Sequence, residues 1–220
     1  MRYKVRGLEI RSENAAKPTT QPAAPLIQWL QGISPVHLAL DYGCGKLRYS
    51  QALASKCTIL TLVDSEVQLG REQQVGRTRT TVRTYAQRHW PKCRVLNVDE
   101  FWRDRRTYGF VLCANVLSAV PDRRVRSKLL LKIASILGRT GRCLFVAQYQ
   151  NSYFKEVAAS PSAIPHLDGW ILKTRRGAFY FGVLSRERLV YLLVKHGFGI
   201  EKAWTEGQSA YVLAGRASST

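Results

Sequence analysis

Five apolar runs, "VHLALDYG", "CTILTLVD", "CRVLNVDEF", "YGFVLCANVL" and "RCLFVAQY", recur along the chain with helix-compatible stretches between them. This alternation constrains the fold more than any other feature. A strand with one solvated face alternates apolar and polar residues, whereas these runs are apolar almost throughout, as central strands of a parallel sheet are. Such a sheet needs helices on both faces. "APLIQWLQG" reads as a short helix ended by Gly32, "KLRYSQALASK" and residues 78–91 as further helices, and Ser65 as the cap of another. Asp122 can cap a helix in which Val125, Leu129, Ile133, Ile136 and Leu137 recur at helical spacing. Ser185 opens one with Leu189, Leu192 and Leu193 on one side and Gly197 at its C-cap. The closing runs "FGIEKAW" and "SAYVLAGR", parted by a turn with Gly207, suit an antiparallel hairpin. The expected fold is α/β: a doubly wound, mostly parallel seven-stranded sheet with a C-terminal antiparallel hairpin.

A chain of 220 residues suits one domain. Residues 1–24 read as an irregular N-terminal arm, because Pro18, Pro22 and a Thr/Gln/Ala run break any periodicity. The domain then spans 25–216. Residues 150–182 interrupt the strand–helix rhythm with Pro161, Pro165, aromatics and scattered charge, and are expected to be an insertion on the substrate side.

Ligands of open parallel sheets lie beyond the carboxyl ends of the strands, where the topology switches. The first apolar run ends there, in "ALDYGCGKLRYS", Ala39–Ser50. A phosphate-cradling loop is excluded, since Leu40 stands where its first glycine belongs and Leu47 where a Ser/Thr would hold magnesium. A dinucleotide fingerprint fits Gly43 and Gly45 but meets Arg48 at its third glycine, and Asp41 is badly placed beside a pyrophosphate. A ligand carrying positive charge and no phosphate makes that carboxylate an asset.

"LDYGCGKLRY" resembles motif I of class I S-adenosyl-L-methionine (SAM)-dependent methyltransferases, [E/D]-x-G-x-G-x-G. Asp41, Gly43 and Gly45 match, Cys44 lies between the glycines, and Leu47 departs at the third glycine, implying a bulkier helix start. The resemblance covers about residues 36–216. It implies that Asp64, ending the second strand beside Ser65, accepts hydrogen bonds from the ribose hydroxyls. It implies further that Asp99, next to Glu100, faces the adenine amino group, that Phe101 covers the ring, and that the loop at Asn115 closes over the methionine portion. Taken singly, Asp64 and Asp99 are ordinary strand-end acids and Asn115 an ordinary turn residue; their order after successive strands is what carries the resemblance.

Methyl transfer is an in-line displacement that alignment can drive, so no catalytic residue need be recognisable, and none is. The tetrapeptide of DNA amino-methyltransferases is missing, "ANVL" standing in its place. Cys113 precedes Ala114 rather than following proline, which reads as a buried strand residue and not a cytosine-directed nucleophile. Tyr149, Tyr153, His166, Arg175 and Arg176 are candidate substrate contacts, with His166 a possible general base. The balance of 34 Lys and Arg against 15 Asp and Glu gives +19 and points toward a nucleic acid acceptor, RNA before DNA, with knots at Arg103–Arg106, Arg123–Arg126 and Lys173–Arg176. A small-molecule acceptor, or a catalytically silent SAM-fold binding subunit, are the alternatives, and a purely solvating basic surface accounts for the charge equally. Five scattered cysteines without a CxxC pair suggest neither a disulfide framework nor a metal site, and fit the cytoplasm; no run reaches the roughly 20 apolar residues that span a bilayer. Oligomeric state is not legible.

Overall fold

A computed structural model describes residues 2–12, 24–149, 152–174 and 177–217. Strands β1 (Arg2–Val5) and β2 (Leu8–Arg11) come first, then α1 (Ala24–Gln31), β3 (Val36–Tyr42), α2 (Ser50–Ala54), β4 (Cys57–Asp64) and α3 (Glu66–Gly70). A ribbon of β5 (Gln73–Val75) and β6 (Thr78–Thr80) leads to α4 (Val82–His89), β7 (Arg94–Asn97) and α5 (Val98–Arg103). The second half runs β8 (Tyr108–Ala114), a 3-10 turn at Leu117–Ala119, α6 (Arg123–Ile136), β9 (Leu137–Gln148) and α7 (Ser152–Ala159). It closes with β10 (Ala163–His166), β11 (Gly169–Thr174), β12 (Gly177–Gly182), α8 (Arg186–Lys195), β13 (Phe198–Glu206) and β14 (Ser209–Arg216).

The main sheet has the order β13-β14-β9-β8-β3-β4-β7. Its strands from β9 to β7 pair in parallel, while β14 runs antiparallel to both β9 and β13. This is the class I methyltransferase fold. The central strand shows why its sequence is nearly all apolar. Leu38, Leu40 and Tyr42 enter the core formed with Leu129, Leu130 and Ile133 of α6 and Leu189 and Leu193 of α8. Ala39, one residue out of phase, enters the opposite core with Leu26 and Leu30 of α1 and Leu53 of α2. The caps form where they were expected: Ser65 accepts from Gln68 N, Asp122 from Arg124 N and Val125 N, and Ser185 from Arg188 N. Among the described residues no helix is long and apolar enough to cross a membrane.

Two regions differ from the sequence reading. Residues 2–11 are a β-hairpin rather than part of an irregular arm. Much of the 150–182 segment is likewise regular: β10, β11 and β12 pair antiparallel, and β2 joins β12 in parallel through Ala178↔Ile10. The result is a second, five-stranded sheet of order β1-β2-β12-β11-β10 with its own small core of Ile10, Ile171, Ala178 and Tyr180. Prolines hid β10, and the partners β2 and β12 lie too far apart in sequence for local periodicity to show a sheet. The helix expected from Lys46 begins only at Ser50, and that expected from residue 78 begins at Val82 behind a Thr81 cap.

Candidate active site

The topology switches between β3 and β8, which pair side by side with Asp41 opposite Leu112. A cavity of about 490 Å³ opens there, within the size range of small-molecule sites. Its floor is the turn after β3. Gly43 has φ +76° and Gly45 φ +55°, and a Cβ at Gly43 would lie 2.3 Å from Val116 Cγ2, so only glycine fits. Backbone N–H groups of Gly43 and Cys44 donate to Val63 O at 2.8 and 3.1 Å, bending the turn toward β4. Leu47, at the third glycine of the motif, also has positive φ, +64°, and is buried. The position demands the left-handed backbone that glycine supplies elsewhere; here a leucine adopts it and fills the core beneath.

Two carboxylates sit under this turn. Asp64 accepts from Gly45 N at 2.8 Å through Oδ2 and from Ser65 N at 2.7 Å through Oδ1. Burial raises its pKa, opposed by those two backbone bonds. Asp41 accepts from Ser50 Oγ at 2.6 Å and is pushed up to about 7, chiefly by burial, with the Ser50 bond opposing and the nearby Asp64 charge adding. Gln68 reaches back from α3 to donate to Gly45 O at 2.9 Å. Burial also drives the Cys44 thiol well up, which leaves it uncharged.

The roof is the second sheet. Tyr3 of β1 and Phe179, Tyr180 and Phe181 of β12 line the same cavity. A buried arginine holds this sheet to the main one: Arg126 of α6 donates from Nε to Val120 O at 2.7 Å, from one terminal nitrogen to Asp168, and from the other to the Tyr180 hydroxyl at 3.0 Å. Arg188 Nε donates to the other Asp168 oxygen at 3.1 Å. Burial pushes the Asp168 carboxyl up, but the Arg126 bond and charge, with Arg188, hold it below its ordinary value.

Of the residues singled out in the sequence, Asp41, Gly43, Cys44, Gly45, Asp64, Ser65 and Asn115 line the cavity. Asn115, at φ +60°, ties the ends of β8 and β9 together by accepting from Gln148 N. Three others do not line it. Asp99 is exposed in the first turn of α5, Glu100 completes a capping box with Asn97, and Phe101 is buried against Tyr42 with ring centroids 4.9 Å apart. The third strand ends at Asn97, earlier than the sequence suggested, so Val98 is the residue from this segment that lines the cavity. Tyr149 lies outside the lining, its hydroxyl 3.4 Å from Thr205 Oγ1. His166 Nε2 lies 2.7 Å from Pro121 O and must carry the proton there, so this nitrogen is a donor and not a base. The side chain of Tyr153, and Arg175 and Arg176 entirely, fall outside the described residues. Arg126 is buried, so one member of the basic knot at 123–126 is withdrawn from any phosphate. Sequence reading missed Tyr3, Tyr42 and Gln68; the period of the first strand places Tyr42 inward, but nothing local marks Tyr3.

No protein-family model matches the chain. It is 38% identical over 215 residues, 98% of this chain and 96% of the relative, to "Uncharacterized protein YmfD" of Escherichia coli (strain K12). Among solved structures, the DhpI–SAH complex is 15% identical with a TM-score of 0.64, over 88% of this chain and 84% of that one. The 1,6-didemethyltoxoflavin-N1-methyltransferase of Burkholderia thailandensis, with bound 1,6-didemethyltoxoflavin and S-adenosylhomocysteine, is 15% identical with a TM-score of 0.62, over 89% and 78%. An S-adenosylmethionine-dependent methyltransferase from Clostridium acetobutylicum ATCC 824 is 11% identical with a TM-score of 0.60, over 83% and 85%. The chain belongs to the same family as the Escherichia coli YmfD protein and has the class I methyltransferase fold.

Proposed function

We propose that this member of the YmfD family is a SAM-dependent methyltransferase acting on a small molecule. The observation that carries the reading is the pair of acids, buried Asp41 and half-buried Asp64, beneath a left-handed glycine turn at the switch point of the sheet. The residues fit the cofactor's chemistry. Bare backbone at Gly43 and Gly45 admits close approach, and two carboxylates in a low-dielectric site favour a cation and ribose hydroxyls over a phosphate. When bound, SAM supplies an electrophilic methyl group on a sulfonium. The chain's part is to hold and exclude. Asp64, fixed by Gly45 N and Ser65 N, keeps its remaining lone pairs oriented toward the cavity; Asn115 and Val116 shape the wall beyond β8; the second sheet limits solvent from above.

A small acceptor is supported by the size and roofing of the cavity and by the neighbour of the same fold solved with 1,6-didemethyltoxoflavin bound. The charge of +19 keeps nucleic acid as a second reading. Calorimetry with SAM and S-adenosylhomocysteine tests the cofactor. Titration of a single-stranded RNA at increasing salt tests the second reading, for which the log–log slope is about −0.7 per contacted phosphate. Failure of both SAM and S-adenosylhomocysteine to bind the folded protein would overturn the assignment.

A further inference from the structure

Resting on the reading above, we infer that Gln68 is a positioning residue of the cofactor floor, and that the β5–β6 ribbon, none of whose residues line the cavity, sets cofactor affinity through it. Gly45 is where the two meet. Its N–H, in the peptide before its Cα, donates to Asp64 Oδ2 at 2.8 Å. Its C=O, in the peptide after, accepts from Gln68 Nε2 at 2.9 Å. The two bonds grip both backbone torsions of a left-handed glycine, φ +55°, a residue type with more conformational freedom than any other. Without Gln68 the carbonyl side is released, and the turn has to be ordered each time the cofactor binds. Preorganisation removes that cost.

The partners of Gln68 leave its amide a single orientation. Arg71 has only donors, and one of its terminal nitrogens donates to Gln68 Oε1 at 2.5 Å, so the other arm of the amide is the NH2 group. Gln73 of β5 makes the same assignment independently. Its Nε2 donates to Gln68 O at 2.8 Å, which leaves its Oε1 to accept from Gln68 Nε2 at 3.1 Å. Gln68 is fully buried, and its Nε2 serves Gly45 O and Gln73 Oε1 together. The chain of bonds therefore runs from the ribbon, through α3, to the one residue whose N–H holds Asp64. Gln73 is half-buried and outside the cavity, yet it turns the Gln68 donor toward the glycine turn.

The test uses Gln68→Met, which keeps the length of the side chain and loses its donor, and Gln73→Leu, which changes a residue outside the cavity. Calorimetry with S-adenosylhomocysteine, at a temperature where each protein is folded, should show binding about tenfold weaker for Gln68→Met, the effect of one lost hydrogen bond. Gln73→Leu should weaken it in the same direction by a smaller factor. The second readout needs no ligand. The Gly45 N–H bond holds the Asp64 pKa down against burial, so the Asp64 carboxyl should titrate at higher pH in Gln68→Met than in the wild type. Its carboxyl 13C signal separates it from Asp41, the neighbouring acid that feels its charge; Tyr42 and Cys44 feel it too, but burial keeps both protonated. A role in folding alone lowers the melting temperature and moves neither readout. Unchanged S-adenosylhomocysteine affinity in both folded variants, or an Asp64 titration identical to wild type, would overturn the inference. Should Gln68→Met fail to fold, Gln73→Leu carries both readouts. If the wild type does not bind S-adenosylhomocysteine while the Asp64 titration still moves in the variant, the methyltransferase reading falls and the positioning of Asp64 by Gln68 stands.

Discussion

The floor and the roof of the cavity are built in opposite ways. The floor comes from two short stretches, residues 41–50 and 64–68, and its hydrogen bonds join neighbouring strand ends. The roof unites residues 2–12 with 163–174 and 177–182, joined in register by the Ala178↔Ile10 pair and held to the main sheet through Arg126. A floor of this kind is dictated by local backbone chemistry. A roof of this kind depends on a few long-range polar contacts, which makes it the part that substitutions can detach.

Removing the clamp should separate the two most sharply. Arg126→Met leaves the half-buried Asp168 with Arg188 alone and strips the Tyr180 hydroxyl of its partner. Breaking a buried ion pair costs about 3 kcal/mol, which in a domain of this size lowers the melting temperature by about 6–12 °C. Because the floor shares none of these contacts, SAM affinity at a temperature where the variant is folded should stay within about twofold of wild type. Loss of SAM binding in the folded variant would show that floor and roof are one unit.

The converse change is Asp64→Ala. Asp64 serves the floor twice, as acceptor for Gly45 N and Ser65 N and as the proposed contact of the ribose. Charge-assisted bonds contribute about 1.5–3 kcal/mol each, so SAM should bind at least about tenfold more weakly. Hydrogen exchange in β10–β12 should not change. Unaltered affinity in a calorimetric titration would take Asp64 out of the site.

The same contrast governs what could be read from the sequence. Asp41, Gly43, Gly45 and Asp64 were legible because strand ends and glycine turns are set by residues adjacent in the chain. The sequence ends the third strand at Asp99 and the structure ends it two residues earlier, at Asn97: the Asn97–Glu100 capping box opens α5 there, and the apolar pattern of "CRVLNVDEF" does not reveal it. The roof was legible only as an insertion on the substrate side, not as a sheet. β1 and β2 are four residues each, and β12, the strand that β2 joins, lies about 170 residues away, so no local period announces the sheet. Arg126 illustrates the cost of reading charge alone. It sits in a basic knot, yet helical phase carries it inward beside Leu129 and Leu130, into the clamp.

The floor should also respond to pH where the roof does not. Asp41 has a folded-state pKa of about 7, well above its ordinary carboxylate value. A group raised on folding stabilises the protein at low pH, and that contribution is lost as pH rises through the folded value. The ligand-free protein should therefore lose stability from about pH 4 to pH 7 at this site, and Asp41→Asn should flatten that part of the profile. A cationic ligand favours the ionised acid, so SAM affinity should rise as pH passes 7, and that rise too should vanish in Asp41→Asn. A melting curve that is unchanged in slope between wild type and variant would place the titration elsewhere.

The smallest effect concerns Leu47, where the floor departs from its own motif. A helix start at this position would make glycine the worst replacement, because glycine costs about 1 kcal/mol more than alanine inside a helix. The backbone says the reverse. Leu47 lies before α2 with φ +64°, a conformation that costs an L-residue about 1–2 kcal/mol and glycine almost nothing. The leucine is kept because its side chain is buried with Leu53 and Leu62 in the core below. Leu47→Ala should therefore destabilise the protein by roughly 2–5 kcal/mol through the cavity it leaves, and Leu47→Gly by somewhat less. The difference between them isolates the backbone: Leu47→Gly should be the more stable of the two by about 1 kcal/mol, since only alanine retains the strained Cβ. Denaturant titrations with matched slopes resolve a gap of that size. A Leu47→Ala protein at least as stable as Leu47→Gly would mean that the turn relaxes out of the left-handed region once the leucine is gone, and that the floor is held by packing more than by its glycines.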